Sequence, residues 1–284
     1  MRSGPQSGRK ANDLAFRATN ARSPWRRAGR LNRDRPLLKN RIVLWGAGGL
    51  ILACLVAAGG YLYFQAFSPD RGKYPLRGID VSHHQRQIDW GRVAADDVAF
   101  AIIKATEGGD HVDDAFAANL REARAAGLAV GAYHFFTFCR PGADQAKNFI
   151  SVVPRDQTLL PPVVDIEFVG NCPRRPLPEE LSVELSAFLG PVEAAFGKTA
   201  ILYVTDDAAR AYAGQIVGRP RWVRSLALQP GYDDWIYWQY HDKGRVDGIS
   251  GDVDLNVLQG GQETLTTLFA APPESMPSEI PRTP

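Results

Sequence analysis

Residues 100–136 read FAIIKATEGGDHVDDAFAANLREARAAGLAVGAYHFF. Two apolar runs of strand length, Phe100–Ala105 and Ala129–Phe136, flank a stretch, Asp113–Ala126, that puts Phe116, Leu120 and Ala123 on one helical face. Gly127 follows where a helix C-cap needs a residue tolerant of the left-handed region. Strand, helix and strand at this spacing predict a βα unit with parallel strands.

The pattern extends in both directions. Further candidate strands are Gly78–Ser82, Val163–Phe168, Ala200–Thr205, Trp222–Leu226, Trp235–Tyr240 and Val253–Leu258; further candidate helices are Ala143–Val153, Pro178–Phe196 and Asp206–Ala213. Beyond about residue 205 the intervening segments shorten and helical periodicity fades. Eight strands with helices mainly in the first half predict an α/β fold, a modified and incomplete (β/α) barrel, without internal repeats.

The 284 residues are 45% hydrophobic and 23% charged, which excludes a collagen-like, coiled-coil or largely disordered chain. Three cysteines are too few for a disulfide-dense scaffold. The net charge of +2 hides an asymmetry: residues 1–41 hold twelve Lys and Arg against Asp13 and Asp34, a net +10, which leaves −8 for the rest. Next comes IVLWGAGGLILACLVAAGGYLYFQAF, Ile42–Phe67, with Gln65 its one strongly polar residue, Trp45 near one end and Tyr61 and Tyr63 near the other. That length and those flanking rings predict a single transmembrane helix. A cleaved signal peptide has a shorter apolar core behind a shorter basic head, and the Arg26-Arg27 pair lies too far upstream for a twin-arginine signal. The positive-inside rule places the basic side in the cytoplasm. The expected organisation is a basic disordered arm over 1–41, the span over 42–67, a linker over 68–76, the barrel domain over 77–264 and a flexible Pro-rich tail over 265–284. The arm's charge would suit anionic lipid heads or nucleic acid, but a topology signal explains the same charges and is the favoured reading; no nucleic acid is required as a partner.

Side chains at i and i+2 of a strand share a face, so Asp165 and Glu167 of VVDIEF project together, opposite Val164, Ile166 and Phe168. Paired carboxyls at the C-terminal end of a barrel strand repel, and burial strengthens the effect, which can hold one of them protonated for acid catalysis. The bland alternative is a solvated strand end paired with Arg174 or Arg175. Asp80 in GIDVS and Asp254 in GDVDLN occupy equivalent strand ends. Aromatic residues accompany the acids: Tyr133, Phe135, Phe136, Tyr203, Trp235, Tyr237, Trp238 and Tyr240. Rings beside acids suit a sugar, whose C–H faces stack and whose hydroxyls bond to carboxylates.

GIDVSHHQ with IDW at 88–90, FAIIKATEG at 100–108, AGLAVGAYHFF at 126–136, VVDIE at 163–167, ILYV at 201–204, and WQY followed by GDVDLN resemble, in this order, the glycoside hydrolase family 25 lysozymes, or N-acetylmuramidases. The resemblance spans roughly residues 77–258 and implies an irregular TIM-like (β/α)5(β)3 barrel. It also implies cleavage of the β-1,4 bond between N-acetylmuramic acid and N-acetylglucosamine of peptidoglycan, without a cofactor. Glu167 would then be the general acid and later the base. Asp165 would orient and stabilise the substrate 2-acetamido group as it attacks the anomeric carbon, with net retention; a direct carboxylate nucleophile is the other route considered. Asp80 and Asp254 would flank them and tune their pKa values, and Tyr133, Tyr203, Lys104 and Trp238 would line the cleft. RWVRSLALQPG departs from the family's Trp-x-Ala-x-Tyr-like strand, keeping Trp222 but not the small residue or the tyrosine.

His83, His84, His134 and Asp80 invite a metal reading, that of a polysaccharide deacetylase, but no HxxxH or HExxH spacing exists. A catalytically silent wall-binding scaffold is the other alternative. Cys139 and Cys172 both follow strands on one predicted barrel face in an oxidising compartment; a disulfide between them is open, since spacing does not establish proximity. The combined expectation is an inner-membrane protein, N-terminus inside, with its barrel outside and peptidoglycan and the bilayer as partners.

Overall fold

A computed structural model describes residues 35–216, 218–231 and 234–269. The expected tail beyond 269 and the arm before Arg35 lie outside the described residues. The chain divides into two units at Val56 and Ala57, and helix α1 (Arg35–Ala66) runs across the division. It takes in residues 35–41, which the sequence reading assigned to the disordered arm. Within it, Val43–Ala66 is long and apolar enough to cross a membrane: 24 residues, about 36 Å at the usual helical rise. Leu44, Trp45, Leu50, Leu55, Val56 and Leu62 are all at least 60% exposed, on several sides of the helix. An apolar surface without a polar face is what a lipid-facing helix presents.

The second unit is built on strands β1 (Arg77–Val81), β2 (Val98–Glu107), β3 (His111–Val112), β4 (Ala129–Phe135), β5 (Val163–Ile166), β6 (Ile201–Val204), β7 (Arg221–Arg224), β8 (Trp235–Gly244) and β9 (Val253–Leu258). Pairings run in parallel from β1 through β2, β4, β5, β6 and β7 to β8. β9 lies antiparallel between β8 and β1 and closes the ring, while β3 folds back as a short hairpin on β2. Helices α2 (Trp90–Ala95), α3 (Phe116–Ala125), α4 (Gly142–Val152), α5 (Pro178–Phe196) and α6 (Asp206–Ala211) follow β1, β2, β4, β5 and β6, whereas β7, β8 and β9 succeed one another without helices. The protein is therefore an irregular (β/α) barrel of five βα units and three strands. All eight strands read from the sequence are present, with ends shifted by a few residues.

Two helices were not anticipated. α2 begins at Asp89, whose carboxylate accepts a hydrogen bond from the Arg92 N–H at 3.1 Å, an N-cap that six helical residues are too few to advertise by periodicity. α7 (Gly261–Phe269) enters the stretch assigned to the tail, and its Leu265 is buried in the barrel interior. Gly127 takes φ +88° after α3, as the cap position requires.

Strand alternation sorts the apolar residues into two layers. Phe100, Ile102, Val163, Ile201, Trp222, Tyr237 and Leu258 fill the barrel interior with Leu160 and Leu265. Ile79, Ala101, Ile103, Val164, Ile166, Leu202, Val204 and Trp238 face outward, where they meet helix residues such as Phe149, Leu185 and Phe188. Gly78 is required by this packing, because a Cβ there would collide with the ring of Phe100. Cys139, after β4, and Cys172, after β5, are joined by a disulfide with Cα atoms 6.2 Å apart.

Gly78→Ala should cost about 1–3 kcal/mol by overpacking the interior, measured by urea unfolding, and adding Phe100→Leu should recover part of the loss. Replacing both Cys139 and Cys172 by Ser should cost about 3–4 kcal/mol on the chain-entropy account of a loop of this size. The same loss should appear in wild type on adding reductant, whereas the double variant should not respond to it.

Candidate active site

The C-terminal ends of the parallel strands surround a cleft of about 750 Å3. Asp80 from β1, Tyr133 from β4, Asp165 and Glu167 from β5 and its extension, and Tyr203 from β6 line it, as do Trp222 and Arg224 from β7, Gln239 from β8 and Asp254 from β9. Val163 and Asp165 point inward while Val164 and Ile166 point outward, which sends the next inward position, Glu167, to the opening. The structure thus brings Asp165, Glu167, Asp80 and Asp254 into one cleft. Arg174 pairs with Glu180, and Arg175 donates to backbone carbonyls, so neither neutralises the acids.

Partial removal from water controls the ionisation of these groups. Glu167 is half-buried, and its pKa is raised to about 7, first by burial; the positive charge of Arg224 opposes the rise, and Asp254 adds to it. Burial likewise pushes Asp165 well above the usual carboxylate range, with the Glu167 charge next and Lys104 opposing. Asp80 and Asp254 stand opposite each other in the antiparallel β1–β9 register. Burial raises both, Asp80 well above its ordinary range and Asp254 to about 6, and the charge of Asp254 adds to the rise at Asp80. Two close carboxyls in a poorly solvated place share a proton instead of both ionising.

A chain of hydrogen bonds holds the pair. Trp222 Nε1 donates to Asn256 Oδ1 at 2.8 Å, which fixes the amide so that Asn256 Nδ2 donates to Asp80 Oδ2 at 2.8 Å. Tyr203 OH donates to Gln239 Oε1 at 2.8 Å. Burial raises the hydroxyl pKa of both Tyr203 and Tyr133 well above the ordinary tyrosine value, so both rings stay neutral. Asp165 Oδ1 is buried without a hydrogen-bond partner. Asn171 supports the loop that follows Glu167: its Nδ2 donates to Phe136 O and Glu167 O, and its Oδ1 accepts from the Phe138 and Cys172 N–H groups.

Two expected cleft residues lie elsewhere. Trp238 occupies an outward position of β8, is 2% exposed, packs with Tyr74, Trp235, Tyr240 and Phe67, and donates to Ser225 O. Its neighbours of opposite parity, Tyr237 and Gln239, turn inward, so the strand carries an aromatic on each face and Trp238 stands on the one turned away from the cleft. Lys104 is buried, donates to Glu107 Oε2 at 2.7 Å, and lies over the Phe135 ring; it reaches the cleft as a nearby charge, not as a wall. Arg224 and Gln239 line the cleft, and counting by twos from Trp222 and Tyr237 reaches them; the same count from Asp254 reaches Asn256, the buried support of Asp80.

The rings of His83 and His84 lie together, with centroids 4.1 Å apart, but His134 does not join them. His134 points into the wall, stacks on Phe188, bonds to Thr106 and Gln145, and is held neutral by burial with its pKa lowered to about 4. His83 Nδ1 meets Asp113 at 2.8 Å, outside the cleft. Among the described residues no three His, Cys, Asp or Glu side chains are grouped to hold a metal ion.

The profile of Glycosyl hydrolases family 25 matches residues 79–249. Lysozyme M1 of Streptomyces globisporus is 35% identical over 211 residues, covering 68% of this chain and 71% of the relative. The uncharacterised protein YegX of Escherichia coli K12 is 36% identical over 224 residues, covering 72% of this chain and 80% of the relative. The solved structure of a family 25 glycosyl hydrolase from Bacillus anthracis superposes with a TM-score of 0.66 at 35% identity, covering 72% of this chain and 98% of that one. With the carboxyl-lined mouth of its five-plus-three barrel, the chain belongs to glycosyl hydrolases family 25 and is a glycoside hydrolase of the lysozyme, or muramidase, type.

Proposed function

We propose that this protein cleaves the β-1,4 bond between N-acetylmuramic acid and N-acetylglucosamine in peptidoglycan with net retention of configuration. Glu167 is the general acid that protonates the leaving oxygen and then the base that activates water. Asp165 orients the substrate 2-acetamido group and stabilises its developing positive charge as its oxygen attacks the anomeric carbon. Asp80 and Asp254 set the geometry and field around them, and Tyr133 and Tyr203 contribute to the cleft wall.

The observation that carries this reading is the contrast between the two acids of β5. Glu167 sits at the opening with a pKa near 7, where a group can both give and take a proton at neutral pH. Asp165 is buried deeper, with Oδ1 unpartnered, a position that an N–H donor on a bound sugar would satisfy.

The apolar helix and the basic residues before it support an inner-membrane anchor with the N-terminus inside and the barrel on the wall side. Peptidoglycan lies on that side.

Purified protein incubated with peptidoglycan should release new reducing ends at muramic acid in the presence of EDTA, and Glu167→Gln should lower the rate by at least 100-fold, in line with loss of a general acid. Binding without cleavage would indicate a scaffold instead, and EDTA-sensitive acetate release a deacetylase. The rate should fall as pH rises through about 7, because Glu167 must enter the reaction protonated. Stability carries the same sign: with its pKa raised from 4.5 to about 7 in the folded state, Glu167 costs stability progressively across that window. Glu167→Gln should therefore melt above wild type at pH 8, by roughly 2–4 °C per kcal/mol relieved, and show a smaller difference at pH 4.

A further inference from the structure

Seven carboxyl residues line the cleft: Asp80, Asp165, Glu167, Asp206, Asp207, Asp242 and Asp254. Only Arg210 and Arg224 oppose them there. Arg210 is exposed on α6, where solvent screens its charge. Arg224 differs. It shares the inward face of its strand with Trp222, its side chain is 35% exposed, and Nη2 donates to Asp242 Oδ2 at 2.7 Å. Among the described residues Asp242 is its one ion-pair partner; it anchors the guanidinium through Nη2 in a side chain that lines the cleft. Arg224 also stands where the family pattern has a small residue, so it adds a cation to a cleft whose charged lining is mostly acidic.

The proposed substrate is itself an acid. N-acetylmuramic acid carries a lactyl carboxyl, free when no peptide stem is attached and otherwise amide-linked to a stem that bears carboxylates of its own. A carboxylate entering this cleft is repelled by whichever of its acids are ionised and attracted by its cations, and a half-buried arginine is screened less than a surface one. We infer that Arg224, steadied by Asp242, is a specificity-determining residue that binds a carboxylate on the muramyl unit of the glycan strand. The inference rests on the muramidase reading. A planar guanidinium with two parallel donors matches a carboxylate, and lysine does not reproduce that fork.

The full chain in detergent is assayed on three substrates: stem-free strands, the same strands with the lactyl carboxyl chemically amidated, and strands carrying peptide stems. Wild type should favour carboxylate-bearing strands over amidated ones, and Arg224→Ala should reduce that ratio of kcat/KM about tenfold, mainly through KM. A reduction confined to stem-free strands assigns the contact to the lactyl carboxylate, and one confined to stem-bearing strands assigns it to the peptide. Arg224→Lys, which keeps the charge near Glu167, should retain the wild-type alkaline limit of the pH profile yet lose most of the ratio. Equal loss of kcat/KM on all three substrates in both variants overturns the inference, leaving muramidase activity intact in wild type. A wild type that releases no reducing ends from any strand removes the muramidase reading itself.

Discussion

Taking carboxyls partly out of water, at one end of a closed ring of strands, is the constraint on which this molecule turns. A solvated aspartate or glutamate ionises near pH 4 and can serve neither as an acid at neutral pH nor as a proton-sharing partner. Here the interior below the cleft is filled by Phe100, Ile102, Val163, Ile201, Trp222, Tyr237 and Leu258, so water reaches the acids only from the mouth. The resulting desolvation leads the causes that raise Asp80, Asp165, Glu167 and Asp254. Such a site is costly to fold around, and a well-packed wall must offset the cost.

That wall is tied together by polar groups as well as apolar ones. His134 and the fully buried Gln145 lock β4 to the loop leading into α4, with Gln145 bonding to both Thr137 backbone groups and to Arg140 O. Asn171 and the Cys139–Cys172 disulfide join the loops after β4 and β5. On the opposite side, Trp222, Asn256 and Asp80 form a hydrogen-bonded line across β7, β9 and β1. The flexible connections of the barrel are thereby stiffened where Glu167 emerges, and a proton donor that must meet one glycosidic oxygen gains from such rigidity.

Much of this was legible before any coordinates. The βα units announce themselves because an inward-and-outward buried strand leaves a continuous apolar run and each helix leaves a 3.6-residue stripe. Asp165 and Glu167 could be placed on one face because alternation along an extended chain is a local property. Short elements were harder: α2 has too few residues to show a period, and α7 looks like the start of a tail until Leu265 is seen plugging the barrel. Trp238 shows the limit most plainly, since Trp235, Tyr237, Trp238 and Tyr240 are all plausible cleft rings in a strand whose register on its neighbours is unknown.

By itself, then, the sequence determined the apolar helix, the order and type of most barrel elements, and the parity of side chains along each strand, all of which arise from residues near one another in the chain. Only the tertiary structure decided that Asp80 faces Asp254 across the closing β1–β9 seam, that Asn256 reaches Asp80 while Trp222 orients it, and that Arg224 stands among the acids with Asp242. Those partners are separated by up to 176 positions. Burial and charge act through space, and the neighbours that set them are chosen by how the ring of strands closes.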